Sequence, residues 1–190
     1  ARGEVRVGVE PVWFVAEGDP APPRPTWTIP LCLRTDDGAR TCRTLGERPE
    51  VVPLPTCPRW VLPNAGDAGY LRYTPDDAAF AALIGAMGEL SARERAGLLL
   101  DVWSLARLGR APASRVLAAL EGLALAKDPA KVVVDAAAHV LREIDHAWVD
   151  DASRPAFAAL VVDVLGGVDV GRPPSGDAGD VPRLARAAAL

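Results

Sequence analysis

Two histidines and a glutamate are spaced so that they could hold a metal ion. His139, Glu143 and His146 are four and three residues apart, so they would share roughly one face of a helix. Histidine nitrogens and a carboxylate are ligands that zinc accepts. The same face also carries Asp135 and Arg142, opposite an apolar stripe. The pattern therefore favours a solvated polar face over a metal site.

Two pairs of acids could in principle perform general acid–base chemistry. They are Asp76–Asp77 and Asp150–Asp151, and each precedes an apolar pattern of helical period. A carboxylate at a helix start accepts backbone N–H bonds and lies at the positive end of the helix dipole. Acid–base catalysis would also need a pocket that shifts the carboxyl pKa. We therefore expect these acids to cap helices.

Other catalytic and binding signatures are missing from the sequence. HExxH, GxSxG, the P-loop and GxGxxG do not occur. The net charge of −4 gives no basic footprint for nucleic acid. No apolar run approaches the roughly 18 residues that span a membrane. We expect no catalytic residue, no metal ligand and no cofactor here, and neither nucleic acid nor membrane as a partner.

The three cysteines are Cys32, Cys42 and Cys57, and no two of them form a CxxC pair. Zinc-site spacing is therefore absent. If a hairpin turns at Asp36–Gly38, Cys32 and Cys42 could face each other across two strands and form a disulfide. The favoured interpretation is that the cysteines are small buried apolar side chains.

Before Thr74 the apolar pattern has the period of two that is typical of half-buried strands. Strands are predicted around Val5–Val9, Trp27–Leu33, Ala39–Leu45, Trp60–Leu62 and Tyr70–Tyr73, with a proline-rich loop at Glu17–Pro25. Short strands separated by turn signals predict a small antiparallel β-sandwich over residues 1–74.

After Thr74 the period becomes 3.6, which predicts five helices. Their start signals are Thr74–Asp77, Ser91 with Glu94 as a capping box, Pro112 and Asp128–Pro129, and the fifth ends before Gly166. Short links between helices predict antiparallel hairpins, and hence a solenoid-like α-helical domain over residues 75–190. A further helix is predicted from Val181. We expect both domains to be truncated.

The stretch Trp60–Tyr73 is more specific than the rest. It runs as a Trp-led strand, an Asn/Gly turn and a Gly-Tyr-x-Arg strand. The Asn64 side chain is expected to fold onto the turn backbone, and Gly66 and Gly69 to supply positive φ. Tyr70 and Arg72 would then share one strand face.

This stretch resembles the segment that joins the β-sandwich to the helical domain in the aminopeptidase N (alanyl aminopeptidase) family of zinc peptidases. The Trp27–Leu31 strand upstream and the Leu90–Asp101 helix downstream also resemble that family, in the same order. The chain departs from the pattern at Leu71, which replaces a second aromatic, and at Thr74–Pro75. The residues that carry the resemblance are Trp27, Pro30, Trp60, Asn64, Gly66, Gly69, Tyr70, Arg72, Glu94, Arg95 and Asp101.

The resemblance implies a parent enzyme that removes N-terminal residues from peptides with one zinc ion, which its catalytic domain holds. In that family the sandwich is a spacer and the helical domain closes over the active site. The implied partners are the parent's catalytic domain and its peptide substrates. No zinc ligand or catalytic glutamate can be carried over, because no position matches them.

Other functions stay open at this point. The chain could be a standalone protein–protein interaction module that presents a helical groove, or a degenerate relative that is not a peptidase. It could also be a carbohydrate-binding sandwich that uses Trp13 or Trp60, although the strand pattern turns Trp27 inward. The compartment is open, with the cytoplasm favoured. The Arg- and Ala-rich composition is typical of a GC-rich, bacterial genome.

Overall fold

The computed structural model describes residues 3–8, 28–46, 48–126, 130–166 and 168. The chain divides into two compact units, Ala1–Leu71 and Arg72–Leu190. Five sequence predictions lie outside the described residues: Trp13, the loop Glu17–Pro25, Trp27, the helix start Asp128–Pro129 and the helix from Val181.

The first unit is built from short antiparallel sheets. Strand β1 (Gly3–Val7) pairs with β4 (Glu50–Leu54), and a second sheet has the order β3-β2-β5, with β2 at Ile29–Thr35, β3 at Arg40–Leu45 and β5 at Val61–Leu62. Antiparallel sheets of few strands are thus confirmed. Their arrangement as a sandwich stays a prediction.

The alternation in β2 sets which side chains are buried. Leu31, Leu33 and Thr35 are buried, whereas Cys32 and Arg34 on the other face are only partly so. Burial of each leucine side chain contributes roughly 1.5–3 kcal/mol. These two leucines form one core cluster with Leu45, Val52 and Leu54.

Two strand predictions differ from the structure. Strand β4 was missed because Pro53 interrupts its alternation. Pro53 lies opposite Glu4 of β1, and among the described residues β1 is the only strand that pairs with β4. The strand predicted at Tyr70–Tyr73 is wrong, since these residues have no strand pairing. The Leu71 amide instead donates to the Gly69 carbonyl at 3.0 Å, which closes a tight turn.

The favoured interpretation of the cysteines is also wrong. Cys32 and Cys42 lie directly opposite each other in β2 and β3 and form a disulfide. Cys42 is exposed rather than buried. Cys57 is a free, exposed thiol.

The described part of the second unit contains five helices, which correspond to the five predicted before Gly166. They are α1 (Asp77–Gly85), α2 (Ala92–Arg107), α3 (Ala113–Ala126), α4 (Lys131–Trp148) and α5 (Arg154–Leu165), with a 3-10 turn at Met87–Glu89. Helix α2 packs against α3 and α4, and α3 packs against α1 and α5. A solenoid arrangement stays a prediction. None of the described helices is long and apolar enough to cross a membrane.

The 3.6-residue period predicts an apolar core face on each helix, which includes Leu100, Leu117 and Trp148. Leu100 is only partly buried, Leu117 of α3 is 39% exposed and Trp148 at the end of α4 is 41% exposed. Trp148 meets the buried Trp103 edge-on, with 5.1 Å between ring centroids. In α5 only Leu165 is buried; the other predicted core residues, from Phe157 to Val164, are half-buried.

The helix boundaries follow local hydrogen bonds. Asp76, not Thr74, is the N-cap of α1, because its side chain accepts from the Ala79 amide at 2.8 Å. The capping box of Ser91 and Glu94 at the start of α2 is confirmed. Gly109 has φ of 67°, a left-handed value that suits a glycine after a helix end.

Candidate functional site: the turn at Asn64 and the start of helix α2

Asn64 closes the turn after β5 with its own side chain. Its amide oxygen Oδ1 accepts from the Gly69 amide at 2.7 Å, and its Nδ2 donates to the Gly69 carbonyl at 3.0 Å. Nδ2 also lies 3.2 Å from Oδ1 of Asp67. The residue is buried and has left-handed backbone angles, φ 62° and ψ 51°. An asparagine tolerates that conformation better than most side chains, so the sequence prediction for Asn64 agrees with the structure.

The two glycines of the turn serve different purposes. Gly66 has φ of 73°, as predicted. Gly69 does not have positive φ, so that part of the prediction is wrong. A Cβ at Gly69 would lie 3.0 Å from Oδ1 of Asn64 and 3.5 Å from the Pro30 carbonyl oxygen. Gly69 is therefore required by the close approach of the Asn64 side chain.

Trp60 and Pro30 lie in the same unit as this turn. Trp60 is buried, and the Arg34 guanidinium carbon lies 4.9 Å from its ring centroid in a cation–π contact. Pro30 is exposed at the start of β2, opposite Thr44 of β3. A buried Trp60 is poorly placed for stacking on a carbohydrate.

Arg72 and Asp101 form an ion pair within the second unit. Arg72 Nη1 lies 2.5 Å from Asp101 Oδ1. Tyr70, two residues earlier, is fully exposed. Because no strand forms here, the prediction that Tyr70 and Arg72 share a strand face is wrong.

Glu94 and Arg95 stabilise the start of α2 through hydrogen bonds. Glu94 Oε2 accepts from the backbone amide and the hydroxyl of Ser91, both at 2.9 Å. Arg95 Nη1 donates to the carbonyl oxygens of Leu90 at 2.7 Å and Met87 at 3.2 Å. These bonds satisfy backbone groups that the helix and the preceding 3-10 turn leave open.

The candidate metal and acid–base residues are placed differently. His139 and His146 are exposed on α4. Among the described residues, no group of three or more His, Cys, Asp or Glu side chains could hold a metal ion. Glu143 lies 4.0 Å from Arg107 of α2.

Asp150 accepts hydrogen bonds from the Ser153 side chain and backbone, and these lower the pKa of its carboxyl below the usual 3.8. The Ser153 amide is 2.8 Å from Asp150 Oδ1. A depressed pKa keeps the carboxylate ionised in the turn Asp150–Ser153, which precedes α5. The N-cap of α5 is Ser153 and makes no side-chain cap bond, so the predicted capping by the acid pairs is seen at Asp76 of α1 and not at α5.

Two polar clusters escaped the sequence analysis. Asp37 accepts from the hydroxyls of Thr35 at 2.6 Å and Thr56 at 3.1 Å, and the Thr35 bond is the main cause that lowers its pKa. The Thr-x-Asp spacing at a turn is a signal that could have been used. Arg115 donates to the Pro75 carbonyl at 2.9 Å and lies over the Phe80 ring. No local sequence pattern predicts these two contacts.

A known protein-family model covers many of the residues described above. The family model described as ERAP1-like C-terminal domain matches residues 60–168. This range begins at Trp60 and includes Asn64, Arg72 and Asp101. The chain belongs to the ERAP1-like C-terminal domain family, a non-catalytic region of M1 aminopeptidases. No curated protein matches the chain.

Proposed function

We propose that this chain is a non-catalytic region of a zinc aminopeptidase similar to aminopeptidase N. The observation that carries the proposal is the family match over residues 60–168, which begins at the Trp60 motif and extends through all five helices. The parent enzyme removes N-terminal residues from peptides, and its zinc ion is held in its catalytic domain.

The contacts within the matched range support a positional role. Glu94 and Arg95 bond to the ends of helical segments, and Asn64 bonds to the backbone of its own turn. Polar groups used in this way stabilise a fixed backbone shape and do not need to meet a substrate. The first unit then acts as a spacer, and the helical unit acts as part of a lid that shapes the chamber through which peptides enter.

The first experiment separates this chain from its parent. The purified chain is incubated with zinc and an alanyl anilide, and we expect no turnover above background. The full product of the reading frame that encodes the chain is assayed beside it, and we expect an upstream HExxH and turnover that a chelator abolishes. Turnover by the chain alone would overturn the proposal. A reading frame without HExxH would favour an interaction module or a degenerate relative.

The second experiment tests the lid role in the parent. Glutamate is introduced singly at Leu117, Val132 and Val162, exposed apolar positions on three helices. If one of these helices lines the chamber, a glutamate on it should raise the KM for a long peptide and leave the KM for an alanyl anilide unchanged. The reason is that only the long substrate reaches the helix. Gly85→Glu, at an exposed site where a Cβ meets open space, is the matched control. The lid role fails if none of the three variants changes the ratio of the two KM values.

A further inference from the structure

The disulfide lies on the outer face of the β2–β3 hairpin, beside two arginines. Cys32 pairs with Cys42, and the next pair on that face is Arg34 with Arg40. Residues two apart in a strand point to the same side. Cys42 and Arg40 are exposed, and Cys32 and Arg34 are half-buried. Two arginines thus occupy the neighbouring pair on the face of a disulfide whose Cys42 is exposed to solvent.

The hairpin has other interactions that hold its strands together. The Thr35 amide donates to the Ala39 carbonyl at 3.1 Å, and the Gly38 amide donates to the Thr35 carbonyl at 2.9 Å. On the opposite face, Leu31 and Leu33 are buried in the core of the unit. We therefore expect the two strands to stay paired when the sulfur–sulfur bond opens.

The acids at the hairpin turn are already engaged. Asp37 accepts from Thr35 and Thr56, and Asp36 is bound to Arg59 at 2.9 Å. The charge of Asp36 is thus paired with that of Arg59, whereas Asp37 stays an anion whose oxygens accept bonds from two neutral hydroxyls. A third arginine, Arg43, donates to the Cys42 carbonyl at 3.0 Å. The surroundings of Cys42 therefore favour a negatively charged reagent.

We propose that Cys32–Cys42 is a reversible exchange site for small anionic thiols, with Cys42 as the sulfur that is attacked. The external thiolate bonds to Cys42 Sγ, and the bond between the two cysteines breaks. Cys32 leaves as a thiolate and takes a proton from water. The external sulfur is oxidised into a mixed disulfide while Cys32 is reduced, and attack by Cys32 on Cys42 reverses the step.

Two features select Cys42. It is the more exposed of the two sulfur-bearing residues, and access decides which sulfur a thiolate reaches. Arg34, held against the Trp60 ring, and Arg40 stabilise the thiolate that leaves from Cys32. The site lies outside residues 60–168, so it does not rest on the family match or on the proposed function.

The test uses the folded chain with Cys57→Ser, which removes the free exposed thiol. Mercaptoacetate, an anion, and cysteamine, a cation, are each added in native buffer, and each rate is divided by its rate with an unstructured cystine peptide. Acid quenching and mass spectrometry follow the adduct, and peptide mapping locates it. We expect the adduct on Cys42 and a preference for mercaptoacetate on the order of tenfold at low ionic strength, which salt reduces.

Charge variants decide whether the arginines are responsible. Arg34→Gln with Arg40→Gln should bring the preference to within about twofold of unity, whereas Arg6→Gln with Arg48→Gln, which removes the same charge from elsewhere in the unit, should leave it. If the double variant unfolds, Arg40→Gln alone repeats the test, because Arg34 stays on Trp60. No adduct in native buffer, an adduct on Cys32, or a preference that the arginine variants do not change would each overturn the proposal.

Discussion

Arg72, the first residue of the second unit, is ion-paired with Asp101 in the middle of helix α2. The distance from Arg72 Nη1 to Asp101 Oδ1 is 2.5 Å, and the side chains are 44% and 6% exposed. The Arg72 side chain is therefore partly exposed to solvent, and the Asp101 side chain is buried. A buried carboxylate needs a partner, because desolvation penalises its charged form. The pair thus anchors to α2 the segment that precedes α1.

Arg72→Ala is expected to lower the free energy of unfolding by about 2 kcal/mol, because it removes a charged hydrogen-bond partner from a buried carboxylate. Chemical denaturation followed by circular dichroism measures the loss. Arg107→Ala on α2 is the control, since Arg107 is 62% exposed and 4.0 Å from Glu143. That change should cost less than about 1 kcal/mol. Equal losses in the two variants would contradict the assigned importance of the Arg72–Asp101 pair.

Asn64→Ala should destabilise the first unit by about 2–3 kcal/mol, because it removes two hydrogen bonds to Gly69 and leaves alanine in a left-handed conformation. The measurement is urea denaturation followed by tryptophan fluorescence with Trp103→Phe and Trp148→Phe in both proteins, so that the signal comes from the first unit, which contains the buried Trp60. Unchanged stability would mean that the side chain does not hold the turn.

Gly69→Ala should also destabilise the first unit, by about 1–2 kcal/mol, because the new methyl group meets Asn64 Oδ1 at 3.0 Å. Gly46→Ala is the matched control: a Cβ there meets nothing within 4 Å and its φ is not positive, so the change should be neutral or slightly stabilising. Similar losses at the two glycines would show that the effect is one of chain flexibility and not of contact with Asn64.

Local rules predicted the elements whose signals are short in range. The capping box of Ser91 and Glu94 and the alternation of Leu31 and Leu33 depend on residues a few positions apart, and the structure agrees with both. The Asn64 turn was predicted for the same reason. The family resemblance related these separate elements to one known domain arrangement, which propensity alone does not do.

The errors arose where distant parts of the chain decide the outcome. Strand β4 exists because Val52 pairs with Val5, far away in sequence, and Pro53 hides its alternation. The disulfide depends on the register of β2 against β3, which the cysteine spacing alone leaves open. The Arg115 contact with Pro75 spans 40 residues. Propensity rules carry no information about such pairings.

Ser91→Ala should lower the free energy of unfolding of the helical unit by about 1 kcal/mol, because it removes the cap at the Glu94 amide and one bond to the Glu94 carboxylate. Ser104→Ala is the control in the same helix. The Ser104 hydroxyl donates to the Leu100 carbonyl at 2.7 Å, a bond that contributes little within a helix. Thermal and chemical denaturation should both separate the two variants, and a larger loss for Ser104→Ala would contradict the role of the capping box.

Asp37 should make the stability of the first unit dependent on acid pH. The Thr35 hydroxyl lowers the pKa of the Asp37 carboxyl below its ordinary value of 3.8, so the folded state binds its proton less readily than the unfolded state. The contribution is therefore fully present above about pH 5 and is lost as the pH falls through the folded pKa. Denaturation series over acid pH should show the chain and Asp37→Asn converging at the acid end. Thr35→Val, which removes the main donor, should move the Asp37 pKa in an NMR titration back toward 3.8, and an unmoved pKa would assign the shift to another group.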